Sequence, residues 1–213
     1  MSFDFATVLK NLSKPATDRW AGFPEFNFVG GHNDPDSLPV DKLIQACSDV
    51  LQREGKTLAT YSLESGPQGY LPLREFLVEK LKKYSGMQCT ADDILLNSGS
   101  LQAIDLINEA LLTPSDTVII EASNYGGVIS RLHRLGVNIV TVNVDEQGMD
   151  TAHLERVLAE LKSRMITPAY IYSIPTVHNP TGAIMSMQRR EHLIALASEY
   201  NICLLYTSDA ADD

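Results

Sequence analysis

From about residue 90 onward the chain alternates short apolar runs with amphipathic stretches, and this alternation limits the possible folds more sharply than anything else in it. Ile94–Asn97, Thr117–Glu121, Asn138–Val142, Ala169–Ser173 and Ile202–Leu205 read as strands. Leu101–Leu112, Val128–Leu135, Thr151–Lys162 and Met187–Tyr200 read as the helices between them. In the third helix Leu154, Val157, Leu158 and Leu161 share one face, Asp150 stands at the N-cap, and Ser186 precedes the fourth. Repeated strand–helix–strand units predict an α/β fold, a mostly parallel sheet with helices on both faces.

The segment before residue 90 follows a different pattern. Pro39 sits at the start of a predicted helix over Val40–Glu54. A second helix is predicted over Pro72–Tyr84, burying Leu73, Phe76, Leu77 and Leu81. Phe28–Pro39 and Tyr61–Tyr70 are turn-rich, so this part reads as an arm and a helical layer, not a separate domain. The 213 residues, 44% hydrophobic and 21% charged, suit one large globular domain. Seventeen Lys and Arg against 27 Asp and Glu give a net charge of −10, which argues against nucleic acid or an anionic membrane as partner. No apolar stretch approaches the roughly 20 residues of a membrane helix. Asp4 stands where a signal peptide wants basic residues, so a cytoplasmic protein is expected. Cys47, Cys89 and Cys203 form no CxxC pair, and Cys47 and Cys203 read as small core residues. The five histidines show no HxxxH or HExxH spacing, so no metal site is expected.

Ligands of open parallel sheets bind beyond the carboxyl ends of the strands, and three unusual segments fall there. Ser98-Gly99-Ser100-Leu101-Gln102 joins a strand to a helix start, where free amides and the helix dipole attract an anion and Gly99 allows close approach. A plain serine N-cap accounts for the same residues. Tyr125, followed by Gly126 and Gly127, suits stacking on a flat ligand or ordinary half-buried packing. Asn179-Pro180-Thr181-Gly182 is a turn that offers the Asn179 amide to a ligand oxygen. No GxGxxG occurs, which disfavours a dinucleotide.

Five motifs, in order, resemble the class I/II aminotransferases, the fold-type I enzymes that use pyridoxal 5′-phosphate. They are Gly30-Gly31…Pro35…Pro39, Tyr61…Gly69-Tyr70-Leu71-Pro72-Leu73-Arg74, Ser98-Gly99-Ser100-Leu101-Gln102-Ala103, Glu121…Tyr125 and Asn179-Pro180-Thr181-Gly182. The likeness runs from about Phe28 to Leu205 and lies nearest the aminoadipate, kynurenine and valine aminotransferase-like group. It implies an enzyme that moves an amino group between an amino acid and a 2-oxo acid, working as a homodimer. Ser100 and the Leu101 amide would hold the cofactor phosphate, Tyr125 would stack on the ring, and Asn179 would bond the ring's phenolic oxygen. Tyr61 would reach the phosphate in the neighbouring subunit, and Gly31 would lie near the substrate carboxylate. The implied division is an arm and substrate loop over 1–37, a partial cofactor-binding large domain over 38–205, and an atypical tail over 206–213. The resemblance implies a Schiff-base lysine that carries the cofactor, but none of the lysines here lies in the three strand-end segments. That lysine is therefore expected to be absent, no catalytic residue is assigned, and the chain by itself is expected to be inactive. A lyase of the same fold, or the aminotransferase-like sensor domain of a transcription regulator, shares the same markers.

Overall fold

The computed structural model describes residues 22, 25–26, 34–60 and 63–208. It divides into two units, Met1–Ala46 and Cys47–Asp213, and the sheet with both its cores belongs to the second. The helices are α1 (Val40–Glu54), α2 (Leu71–Ser85), α3 (Ser100–Leu111), α4 (Gly126–Leu135), α5 (Thr151–Ser163) and α6 (Met187–Glu199). The strands are β1 (Thr117–Glu121), β2 (Asn138–Val142), β3 (Val144–Asp145), β4 (Gly148–Met149), β5 (Tyr170–Thr176) and β6 (Cys203–Ser208). Among the described residues, no helix is long and apolar enough to cross a membrane.

Four strands form one parallel sheet in the order β2-β1-β5-β6. All five residues of β1 are buried, as expected of a strand covered on both faces, and such a strand reads as an unbroken apolar run. Its alternate side chains enter different cores. Ile119 packs with Leu154, Leu158 and Leu161 of α5 and Leu193 and Leu196 of α6. Val118 and Ile120 face the other way, onto Ile104 of α3 and Val128 and Leu132 of α4. The expected helices on both faces are thus present. The Asp150 carboxylate accepts from the His153 amide at 3.0 Å, which caps α5 as the sequence predicts.

Several expectations fail, each for a local reason. Ile94–Asn97 forms no strand: it has no ladder partner among the described residues, and the Leu96 amide donates to Gln68 O at 2.9 Å. On α2, Leu73 and Phe76 are exposed while Leu77 and Leu81 are half-buried. The helix instead turns Arg74 inward, leaving it 2% exposed, because the guanidinium donates to Gly69 O (3.0 Å), Ala91 O (2.6 Å) and Ser65 O (2.7 Å). Cys47 and Cys203 are exposed rather than core residues. Cys47 shares an exposed stripe of α1 with Leu43, Ile44 and Leu51, and Cys203 lies on the outermost strand of the sheet. The antiparallel β3–β4 hairpin lacks any apolar run long enough to predict it; Arg189 of α6 clamps it through both Asp145 carboxylate oxygens (2.6 Å each) and Gly148 O (2.8 Å).

Replacing Arg74 with Ala takes the guanidinium from Ser65 O, Gly69 O and Ala91 O, of which Ala91 O keeps the Ile94 amide. Hydrogen bonds to charged groups contribute about 1.5–3 kcal/mol each at most. The expected result is a loss of about 2–4 kcal/mol in urea unfolding, and a loss below about 1 kcal/mol would show that water replaces the guanidinium. Alkali should also destabilise the sheet. Burial first, then the nearby Cys203 charge, pushes the Tyr170 phenol from 10.0 to about 12, and burial with the Glu121 charge raises Tyr172 as well. A raised folded-state value means that stability is full below the unfolded phenol's 10.0 and is lost as pH rises towards about 12. Thermal melts across that range should fall steadily, and Tyr170→Phe should flatten the decline.

Candidate functional site

The chain leaves β1 towards β2 on one side of the sheet and leaves β5 towards β6 on the other. Adjacent parallel strands whose connections diverge open a crevice beyond their carboxyl ends, where α/β proteins bind ligands. The loops after β1 and β5, with the start of α3 in the same helical layer as α4, are therefore the candidate site.

A buried carboxylate closes the bottom of this crevice. Glu121, the last residue of β1, is 0% exposed. Ser173 Oγ of β5 donates to its Oε1 at 2.6 Å, and the Ile174 amide donates to both oxygens at 3.1 and 3.2 Å. Asn124 Nδ2 donates to Oε2 at 2.9 Å, while Asn124 Oδ1 accepts the Tyr125 amide at 2.8 Å. His178 Nε2, equally buried, faces Oε2 at 3.4 Å and has no closer hydrogen-bond partner. The other ring nitrogen, Nδ1, lies 2.8 Å from Thr181 Oγ1. One carboxylate thus joins the loop bearing Tyr125 to the loop bearing Asn179.

Each loop then presents a side chain outward. Tyr125 is the N-cap residue of α4, and its side chain is 42% exposed. A Cβ built on Gly127 would lie 2.6 Å from Tyr125 Cε1 and 3.0 Å from Leu101 Cδ2, so the glycine lets the ring and Leu101 meet. The β5 loop turns at Val177, whose φ of 47° is strained for a β-branched residue. A cis Asn179-Pro180 bond follows, with the Gly182 amide donating to His178 O at 2.6 Å. Asn179 is exposed in this turn, and Arg190 of α6 holds its base through Pro175 O (2.7 Å) and Met185 O (2.9 Å).

The start of α3 is open. Gly99, its N-cap residue, has a φ of 80° and provides no side-chain cap, and a Cβ there would meet nothing within 4 Å. The Gln102 side chain folds back to accept the Ser98 amide, and the Gln102 amide donates to Gly99 O at 3.1 Å. Among the described residues, the amides of Ser100 and Leu101 have no acceptor, and Ser100 is exposed. Hence the structure sets Leu101 beside Tyr125 and links Tyr125's loop to Asn179's, with Ser100 one residue from Leu101. Gly31 and Tyr61 lie outside the described residues. Sequence reasoning missed Ser173 and His178 and assigned no role to Glu121 or Asn124. The available signal was a charged residue closing the apolar run Thr117–Ile120.

Residues 31–208 match the family model for aminotransferase class I and II. The chain is 30% identical to aromatic-amino-acid aminotransferase 1 of Thermococcus litoralis over 84% of its own length and 42% of that protein's. Its fold is similar to an archaeal alanine:glyoxylate aminotransferase, with a TM-score of 0.76 and 34% identity over 83% of this chain and 43% of that one. It is also similar to the α-aminoadipate aminotransferase of Thermus thermophilus solved with N-(5′-phosphopyridoxyl)-L-leucine, with a TM-score of 0.72 and 29% identity over 84% of this chain and 42% of that one. The chain therefore spans less than half the length of these relatives.

Gly127→Ala tests the packing of this corner. The clash falls on the ring edge of Tyr125, a movable side chain, while alanine favours the helix by about 1 kcal/mol. A crystal structure of the variant should show the ring swung aside over an unchanged backbone, with the melting temperature held. A large drop in melting temperature would instead mean that Tyr125 is fixed in the core.

Proposed function

Because the chain belongs to the class I and II aminotransferases, we propose that its crevice holds pyridoxal 5′-phosphate and that the whole protein moves an amino group between an amino acid and a 2-oxo acid. The observation that carries this reading is the uncapped start of α3 beside an exposed aromatic ring. The residues present fit such a group. Two free amides and the Ser100 hydroxyl suit a phosphate, the helix dipole favours its charge, and the open space at Gly99 admits it.

In this reading Ser100 and the amides of Ser100 and Leu101 bind the phosphate. Tyr125 stacks on the pyridine ring and, with Leu101, keeps water off that face. The Asn179 amide donates to the ring's phenolic oxygen and fixes the ring's rotation. When bound, the cofactor supplies an electron-withdrawing ring that stabilises negative charge at the α-carbon of an amino acid. Gly31 contributes a loop near the substrate carboxylate, and Tyr61 reaches the phosphate of a second copy in a homodimer. Residues 38–205 serve as the cofactor-binding domain and 1–37 as its arm.

Titration with pyridoxal 5′-phosphate and with pyridoxal, followed by absorbance, tests the reading directly. The phosphate ester should bind at least tenfold more tightly, and inorganic phosphate should compete. Gly99→Val should remove that preference, since a β-branched side chain is strained at a φ of 80° and would fill the open space that a phosphate needs. Equal binding of both compounds would overturn the assignment of α3.

A further inference from the structure

We propose that Glu121 is the positioning residue of the site: its buried carboxylate acts through Asn124 to set Tyr125 and through Ser173, Ile174 and His178 to set the Asn179 turn. The relevance to a cofactor rests on the function proposed above, whereas the positioning itself can be tested without any ligand. A carboxylate fully out of water needs donors on both oxygens, and here they arrive from the loop after β1 and from the neighbouring strand β5. Ser173 lies 52 residues from Glu121, and Asn124 lies 3 residues from it.

Each link has a defined direction. The carboxylate only accepts and the Tyr125 amide only donates, so the Asn124 side chain has one permitted orientation, Nδ2 to Glu121 and Oδ1 to Tyr125. That pair of bonds holds the backbone at the N-cap of α4 and so aims the Tyr125 ring. On the other side, a Thr181 hydroxyl donating to His178 Nδ1 leaves the ring proton on Nε2, which faces Glu121 from within the turn that carries Asn179. His178 Nε2 is a buried polar atom that makes no hydrogen bond, and the polar atom set against it is the Glu121 carboxylate oxygen at 3.4 Å, which registers that turn against the same carboxylate. Glu121 reaches no open surface and is not itself a catalytic residue.

Hydrogen exchange on the purified chain distinguishes a hub from ordinary packing. The Tyr125 and Gly182 amides report on the two loops, and the Ile119 amide reports on the sheet. Asn124→Ala should speed exchange at Tyr125 at least tenfold and leave Gly182 unchanged. His178→Leu should do the reverse. Glu121→Leu should speed both with Ile119 unchanged, and Glu121→Gln should restore most of the protection, since its carbonyl can still serve Asn124 and Ile174 while its amide donates to Ser173. Equal loosening at all three amides, or loosening of one loop alone in Glu121→Leu, would overturn the proposal.

A second arm addresses the cofactor. With pyridoxal 5′-phosphate added, Glu121→Leu should lose most of the induced circular-dichroism band of the bound ring while keeping its affinity for inorganic phosphate within twofold. Glu121→Gln should recover the band. An unchanged band in Glu121→Leu would overturn the ring-positioning role. The expected exchange pattern together with no band in the unaltered chain would support the hub and sink the cofactor reading instead.

Discussion

A carboxylate without water must be surrounded by donors, and the position of Glu121 turns that requirement into an organising constraint. A strand running into the core with a charged residue at its end is tolerable only if neighbouring elements deliver N–H and O–H groups to that spot. The neighbour in the sheet supplies Ser173 and Ile174, which fixes β5 beside β1. The loop after β1 supplies Asn124, and the loop after β5 sets His178 Nε2 3.4 Å from the same carboxylate, which brings the loops together over the crevice. Fold and site meet at this one side chain.

The arginines serve the complementary need. Carbonyls in turns and at strand ends lack a full set of ladder or helix bonds, and guanidinium groups add donors there. Arg74 gathers Ser65, Gly69 and Ala91; Arg190 gathers Pro175 and Met185; Arg189 holds Gly148. Arginine suits this work because its planar fork carries several fixed donors and remains charged at any ordinary pH. In a chain with only 17 basic residues against 27 acidic ones, spending some of them on internal carbonyls leaves the rest of the molecule strongly acidic.

What the sequence disclosed was whatever depends on local periodicity. The bounds of β1, β2 and α1 match the pattern to the residue, because an apolar run or a helical stripe marks its own period and length, although the stripe of α1 is exposed. The Asp150 cap was equally visible, since a cap is a contact across three residues. Relationships between distant residues left no such trace. Ile94–Asn97 has strand composition, but becoming a strand requires a neighbour, and composition does not supply one. Leu73 and Phe76 have the spacing of a buried face, yet the helix rotates to serve Arg74. The segments after β1 and β5 were recognisable because βα alternation puts the carboxyl ends of parallel strands on one rim, whereas the start of α3 was placed with them through Ile94–Asn97, a strand the structure does not form. The hub beneath them was not, because Glu121 meets Ser173 and Ile174 across 52 and 53 residues, and its own neighbours in sequence say nothing of them.

That separation has a consequence for what it costs the chain to close the crevice. The β1–α4–β2 unit is joined over a short span, whereas the bonds from Ser173 and Ile174 to Glu121 bring together residues 52 and 53 positions apart. Contacts so distant in sequence cost more chain entropy than local ones. A chain interrupted before β5 would hold the Tyr125 loop without the partner strand that shapes it, and Glu121 would keep its local donor, Asn124, without the two from β5.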